Sequence, residues 1–311
     1  MRLLVVLNPS SRDFEASRRY PAIERKLARA EVDLVETSPD AGETRTRVEA
    51  GLAKNPERVV AIGGDGTVHS VVNIMFEGRS ERPLPQLAVV PFGTANDVAK
   101  SLRLPLDDLD ALAGLACGAF TRPFDVGLVR AKGDQGLRSA YFLDSVSIGM
   151  DADVLATRDR HRGLGGYLAY AAAMAERALV ATKFDARIVV DGEKLDDRVF
   201  NIIVNNSPVY AGELTMPRSS ASDGLLDVYV FDRAEYASKL LTFAVKQADL
   251  LKLGVDAFLE DITENQREVH GRDVSIRLAS PRRLQVDGEL FGSADEVFCS
   301  VAGAVEVASP R

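Results

Sequence analysis

Cysteine is nearly missing: Cys117 and Cys299 are the only two in 311 residues. Two cannot make a disulfide framework, so a reducing cytoplasm is the expected compartment and a hydrophobic core must hold the fold. Histidine is also scarce. His69, His161 and His270 lie far apart in the sequence, without the spacing of a metal-ligand cluster. Positive charge is in deficit, with a net charge of −8 and an isoelectric point near 5.1, which argues against a broad nucleic-acid footprint. Long apolar runs are absent too. The opening MRLLVVLNPSS has an apolar run of about five residues where a signal peptide needs about 7 to 15, and the alanine-rich stretch from Tyr167 to Ala181 is broken by Glu176 and Arg177. No run reaches the ~18 residues of a membrane-spanning helix, so any membrane contact is expected to be peripheral. The remaining composition, 46% hydrophobic and 27% charged, is that of a globular chain long enough for about two domains.

The most informative stretch is VVAIGGDGTVHSVVNIM, residues 59–75. Arg58 to Ile62 reads as a buried parallel strand, and Val68, Val71, Val72 and Met75 fall on one face of a helix. Gly63, Gly64 and Gly66 connect the two. Glycine lets an anion approach the backbone, and the free N–H groups of the helix start face it, so the turn suits a phosphate. The familiar phosphate signatures are lacking: there is no G-x-G-x-x-G after a strand, no G-x-x-x-x-G-K-[ST], and no lysine in the turn. Asp65 stands there instead. A carboxylate among phosphates is repulsive unless a divalent cation lies between them; the plainer alternative is a glycine turn with Asp65 as a cap.

Taken in order, the chain opens with a strand at Leu3 to Leu7, a polar turn at Asn8 to Asp13 and a charged helix from Tyr20 to Ala30. A strand around Val32 to Val35, a loop at Thr37 to Gly42 and a helix running to Lys54 follow. After the glycine turn and its helix come a loop at Arg79 to Pro85, a strand at Leu87 to Val90, and PFGTAND at 91–97 leading into another helix. This β-α-β-α-β-α-β-α order implies a parallel sheet with its ligand crevice at the carboxyl ends of the strands, where Asn8, Thr37, Asp65 and Thr94 all fall. Beyond Phe124 to Arg130 the texture becomes mainly β, with strands at Lys183 to Val190, Arg198 to Asn205 and Leu225 to Phe231. Asp191-Gly192 is a hairpin signal, and helices are expected at Gly163 to Val180 and Tyr236 to Leu253. The expected division is an α/β domain over residues 1–127, rejoined by residues 297–311, and a β-rich domain over 128–296.

Six segments in order, LNPSS at 7–11, GGDGT at 63–67, PFGTAND at 91–97, FDVG at 124–127, SDGLLDV at 222–228 and VDGE at 286–289, resemble the bacterial diacylglycerol kinase-like lipid kinases. The GGDGT motif is shared with sphingosine kinases, NAD kinases and phosphofructokinases. The resemblance implies a phosphofructokinase-like α/β domain that binds ATP, a β-rich sandwich-like domain that shapes a lipid site, and a cleft between them. It also implies that Asn8, Pro9, Ser10, Ser11 and Arg12 line the nucleotide phosphates, that Thr37 contacts the nucleotide, and that Gly63, Gly64, Asp65, Gly66, Thr67, Val68, His69 and Ser70 form the phosphate turn, with Gly93, Thr94 and Asn96 beside it. Asp65, Asp97 and Asp125 would hold a water-bridged Mg²⁺ network, a fit for a cation that wants hard oxygen ligands and keeps several waters. Asp223, with main-chain oxygens of Ser220 and Leu225, would hold a second, structural Mg²⁺. For Asp97 and Asp125 the plainer roles are a helix cap and a strand end; for Asp223 it is a turn.

Val68, His69 and Ser70 depart from the leucine, asparagine and glutamate that the family often has after GGDGT. His69 either replaces one hydrogen bond or faces solvent. Tyr210, Ala211, Gly212 and Glu213 stand where the family has a glycine cluster near the substrate. The expected function is an ATP-dependent lipid kinase meeting its lipid peripherally at a membrane surface, with Arg158, Arg160 and Arg162 as a docking run; a homodimer is compatible with it. The alternatives are a soluble-metabolite kinase of the NAD kinase type and a binding protein without turnover. Phosphoryl transfer to an alcohol calls for a proton acceptor. Of the two D-G-E triplets, Asp191-Gly192-Glu193 reads as a plain hairpin, whereas Asp287-Gly288-Glu289 matches the family position. Glu289 is expected to take the proton and Asp287 to orient it, the reverse remaining open.

Overall fold

The computed structural model describes residues 1–79, 83–164, 166–210, 214–216, 218–232 and 267–311. The expected helix at Tyr236–Leu253, residues 211–213 and part of the 79–85 loop lie outside them.

The first half alternates strictly. Strand β1 (Arg2–Leu7), helix α1 (Ser11–Leu27), β2 (Glu31–Glu36), α2 (Ala41–Leu52), β3 (Arg58–Gly63), α3 (Asp65–Glu77) and β4 (Gln86–Pro91) run in order, followed by two short helices, α4 (Asp97–Ser101) and α5 (Leu109–Cys117). The strands pair in parallel in the order β4-β3-β1-β2. β1 and β3 are unbroken runs of Leu, Val, Ile and Ala, buried along almost their whole length, as strands covered on both faces require. The first helix begins nine residues earlier than its apolar pattern suggests. Its buried stripe is Ala16, Tyr20, Ile23 and Leu27, at helical spacing, but Ala16 is too small to advertise a face and Pro21 interrupts the pattern. The chain enters it through Arg12, Asp13 and Phe14, all with φ between 50° and 67°.

The second half is mostly antiparallel: β5 (Thr121–Gly133), β6 (Gly136–Phe142), β7 (Ser145–Gly149), β8 (Phe184–Val190), β9 (Glu193–Val199), β10 (Asn201–Asn205), the short pair β11 (Val209–Tyr210) and β12 (Leu214–Thr215), β13 (Leu226–Phe231), β14 (Arg267–Gly271), β15 (Asp273–Val286) and β16 (Glu289–Ala308). Helices α6 (Met150–Arg158) and α7 (Gly166–Val180) interrupt it, joined by a 3₁₀ turn at Asp159–Leu164. The sequence pattern shows α7 but not α6. β8 alternates buried and exposed residues, the signature of a sheet with one wet face.

The two halves share one mixed sheet among the described residues. β16 pairs antiparallel with β15 and β5, and its end joins β4 through Val307 opposite Leu87. One hydrophobic cluster gathers β1, β3, β4 and α3 with Phe124, Val126, Val305, Val307 and Ala308. A second gathers β7, β8, β10, β13 and β15 with Val129, Ala131, Val297 and Cys299. β5 and β16 therefore pass through both.

Both D-G-E triplets prove to be two-residue hairpins. Val190 pairs with Glu193 and Val286 with Glu289. Asp191, Gly192, Asp287 and Gly288 have φ of 47°, 92°, 47° and 80°, the positive pair that a type I′ turn demands.

Candidate active site

Strand exits bring together the residues expected to line the phosphates. Asn8, just past β1, donates from Nδ2 to Thr67 Oγ1 at 3.1 Å, while its Oδ1 accepts from the Ser10 amide and hydroxyl. Thr37 follows β2 and bonds back through its amide to Leu7 O. Pro9, Ser11 and Arg12 extend the first of these turns, where Arg12 pairs with Glu15 at 3.6 Å. The GGDGT turn meets the β4–α4 turn backbone to backbone: a Cβ on Gly93 would stand 2.8 Å from Gly64 Cα, so glycine is required by the approach itself. Asn96 closes the second turn, accepting from Gly93 N and donating to Gly93 O. Thr94 is exposed on its rim and Ser70 is half-buried. Val68 sends its side chain into the core.

Asp65 does act as a cap, though for a neighbouring helix. Its Oδ2 accepts from Asn96 N at 2.7 Å and its Oδ1 from Asp97 N at 2.9 Å. Burial nevertheless pushes its carboxyl above the usual range, against those hydrogen bonds. Asp65 and Asp97 then line a cavity of about 10 Å³ with His69, Val98, Leu143, Asp144 and Asp287, room for about one water. Asp144 is buried. Burial drives its carboxyl well above the ordinary range, and the charges of Asp97, Asp287 and Asp65 add to the shift, opposed by a hydrogen bond from Ser207 Oγ at 2.8 Å.

Asp125 does not line this cavity. Its Oδ2 accepts from Gly224 N at 2.7 Å, its amide donates to Ala221 O, and burial and then the neighbouring Asp223 raise its pKa. It therefore belongs with the Ser220–Leu225 turn, where Asp223 Oδ1 accepts from Leu225 N at 3.0 Å. The three carboxylates grouped from sequence thus fall into two places, and Asp144 takes the third position beside Asp65 and Asp97. Sequence spacing gave no sign of it beyond an acid at a strand exit, between β6 and β7.

The β15–β16 hairpin closes the site. Asp287 accepts from the amides of Leu143, Asp144 and Ser145 at 2.9 to 3.1 Å and bonds His69 Nδ1 at 2.9 Å. Four partners use the four lone-pair positions of a carboxylate. His69 therefore does not face solvent. Burial opposes its charged form, but the hydrogen bond to Asp287 and that acid's charge prevail and raise its pKa. Asn73, one turn on, clamps both the N–H and the C=O of Tyr141, so α3 is tied at two points to the second half of the chain. Glu289 is exposed, and its Oε1 lies 3.2 Å from where a Cβ on Gly66 would stand. Glu193 sits on the other hairpin, whose Asp191 accepts from the amides of Arg272 and Asp273.

Tyr210 donates to Asp151 Oδ2 at 2.5 Å. The basic run is partly spoken for: Arg160 and His161 both close on Glu176, at 2.9 and 3.0 Å. No helix among the described residues is long and apolar enough to cross a membrane.

A glycine-rich turn at a helix start, a carboxylate pocket and an acidic hairpin at one cleft suit a phosphotransferase. Residues 2–129 match the diacylglycerol kinase catalytic domain, and residues 144–309 match the YegS C-terminal NAD kinase beta sandwich-like domain. The chain belongs to the diacylglycerol kinase family and is a kinase with an alcohol acceptor. It is 26% identical over 319 residues to a diacylglycerol kinase of Staphylococcus saprophyticus, covering 100% of this chain and 96% of that one. A diacylglycerol kinase of Mycobacterium tuberculosis is also 26% identical, over 314 residues, with the same coverage. Among solved structures, a diacylglycerol kinase from Bacillus anthracis superposes with a TM-score of 0.68 at 20% identity, covering 99% of this chain and 97% of that one. Yeast NADH kinase complexed with NADH superposes with a TM-score of 0.56 at 12% identity, covering 100% and 84%. These two likenesses are of fold.

Proposed function

We propose that the protein transfers the γ-phosphoryl group of ATP to a hydroxyl of a diacylglycerol-like lipid, which it meets from the aqueous side of a membrane. Support comes first from the contrast between the two acids of the hairpin. Asp287 has every lone pair engaged, whereas Glu289 is exposed over Gly66 of the phosphate turn. A proton acceptor needs a free lone pair within reach of the hydroxyl. Glu289 takes the hydroxyl proton as the new O–P bond forms and the bond from phosphorus to the ADP oxygen breaks; Asp287 fixes the hairpin that carries it.

The nucleotide phosphates lie against Asn8 to Arg12, the GGDGT turn and the Gly93–Asn96 turn. The carboxylate pocket is an all-oxygen donor set apart from His69, suited to a hard divalent cation held partly through water. Asp65, Asp97 and Asp144 would hold Mg²⁺, which supplies charge neutralisation to the phosphates. The turn holding Asp125 and Asp223 would take a second, structural ion.

The test is phosphate transfer from labelled ATP to diacylglycerol, a sphingoid base and NAD in parallel. Labelled lipid with unlabelled NAD is the expected outcome, and the reverse would move the protein to the soluble-metabolite kinases. Glu289→Gln should keep ATP binding yet lose at least ~100-fold in kcat, with Glu193→Gln nearly silent. An active Glu289→Gln enzyme would exclude that acid as the base.

A further inference from the structure

At the opposite edge of the sheet, strand pairing assembles a second group of chemically capable side chains that sequence spacing hides. Asp227 on β13 stands directly opposite His270 on the edge strand β14, and Tyr229 opposite Glu268. The period of two puts all four on one face. His270 Nδ1 lies 2.8 Å from Asp227 Oδ1 and 3.9 Å from Glu268 Oε1, and the three ligand atoms fall within 4.8 Å of one another, the one such set of three among the described residues.

Both carboxylates are almost dry, with side chains 5% and 4% exposed, while His270 is 47% exposed and leaves one side open. Tyr229 donates to Glu268 Oε1 at 3.0 Å and is itself 3.1 Å from Ser219 Oγ, so the carboxylate is held from behind, as outer partners orient metal ligands. Glu268 Oε2 is buried without a hydrogen bond; the exposed Arg218 guanidinium forms an ion pair with it at 2.6 Å. Two buried carboxylates against one guanidinium leave a negative charge where water does not screen it. The set is thus short of positive charge, which a bound cation would supply.

We propose that Asp227, Glu268 and His270 bind a divalent transition-metal ion of the Zn²⁺ class, its remaining position open to water on the His270 side. One imidazole nitrogen and two carboxylate oxygens suit such an ion better than Mg²⁺ or Ca²⁺, which favour oxygen alone. None of these ligands lines the carboxylate pocket. The ion clips β14 to β13, and phosphate transfer does not pass through it.

The experiment is calorimetric titration of the metal-stripped full chain with Zn²⁺ in excess Mg²⁺, with Co²⁺ absorption as an independent signature. One site is expected in the wild type. His270→Ala, a half-exposed position, should keep the circular dichroism and kinase activity of the wild type, weaken Zn²⁺ at least ~10-fold and abolish the Co²⁺ band. Zn²⁺ should raise the wild-type melting temperature and leave that of His270→Ala unmoved. Equal Zn²⁺ affinity in both proteins, or none in either, overturns the proposal in favour of a bridging proton. Because the readout is metal binding, it stands or falls apart from the choice of phosphoryl acceptor.

Discussion

Asp144 is buried, and the charged neighbours that raise its pKa, Asp97, Asp287 and Asp65, are all acids. Its folded pKa therefore lies above the unfolded value, so above the ordinary carboxylate range the folded chain keeps a proton that the unfolded chain has released. The unfolded state then binds fewer protons, and stability falls as pH rises from that range through the raised pKa. Asp144→Asn keeps an acceptor for the Ser207 hydroxyl and removes the ionisation. In EDTA it should melt higher than wild type at about pH 8, with the gap shrinking toward about pH 3, where wild-type Asp144 is mostly protonated in both states. Equal offsets at both ends of that range would mean that the substitution acts through packing. Such an acid was not legible. FLDSV at 142–146 carries no motif, and its neighbours arrive from residues 65, 97 and 287.

Gly66 opens α3 opposite the β15–β16 hairpin, and the two elements meet through one small gap. Gly66→Ala adds a methyl group 3.2 Å from Glu289 Oε1 at an exposed position in the first helical turn, where alanine is favoured over glycine by roughly 0.5–1 kcal/mol. The variant should be at least as stable as wild type in denaturant titration, and if Glu289 is the proton acceptor it should turn over at least ~10-fold more slowly, because the methyl displaces Glu289. Unchanged kcat would show that Glu289 need not sit against this turn. Elements of this kind were the readable ones. GGDGT and Asp191-Gly192 announced their turns because only certain residues tolerate such backbones, and the buried runs of β1, β3 and β4 announced a parallel sheet; that Asp287-Gly288 turns the same way came only from the structure. α1 was half-read because Ala16 and Pro21 blur its stripe. The pairing of Asp227 with His270 stayed invisible because register between strands 43 residues apart leaves no local trace.

Across the whole molecule, the two hydrophobic clusters share β5 and β16, which pair from Thr121 opposite Ala308 to Lys132 opposite Glu296. Unfolding either cluster strips partners from the other. Calorimetry of the metal-free protein should therefore show one transition with matching calorimetric and van't Hoff enthalpies, and two resolved transitions would separate the halves. The same ribbon bears on motion. The pairing of β16 with β5 slips between Val301 and Gly303, where Gly303 has φ 142°, and a bulge is where a strand bends. Val297 and Cys299 lie on one side of it, Val305 and Val307 on the other. Glu289 begins the strand whose far end is anchored beside the parallel sheet, so the acid rides on a leaf spring clamped at both ends. Were the cleft to widen, that strand would have to flex against its hydrogen bonds, and its pairing with β15 and β5 would hold the register of the acid against Gly66.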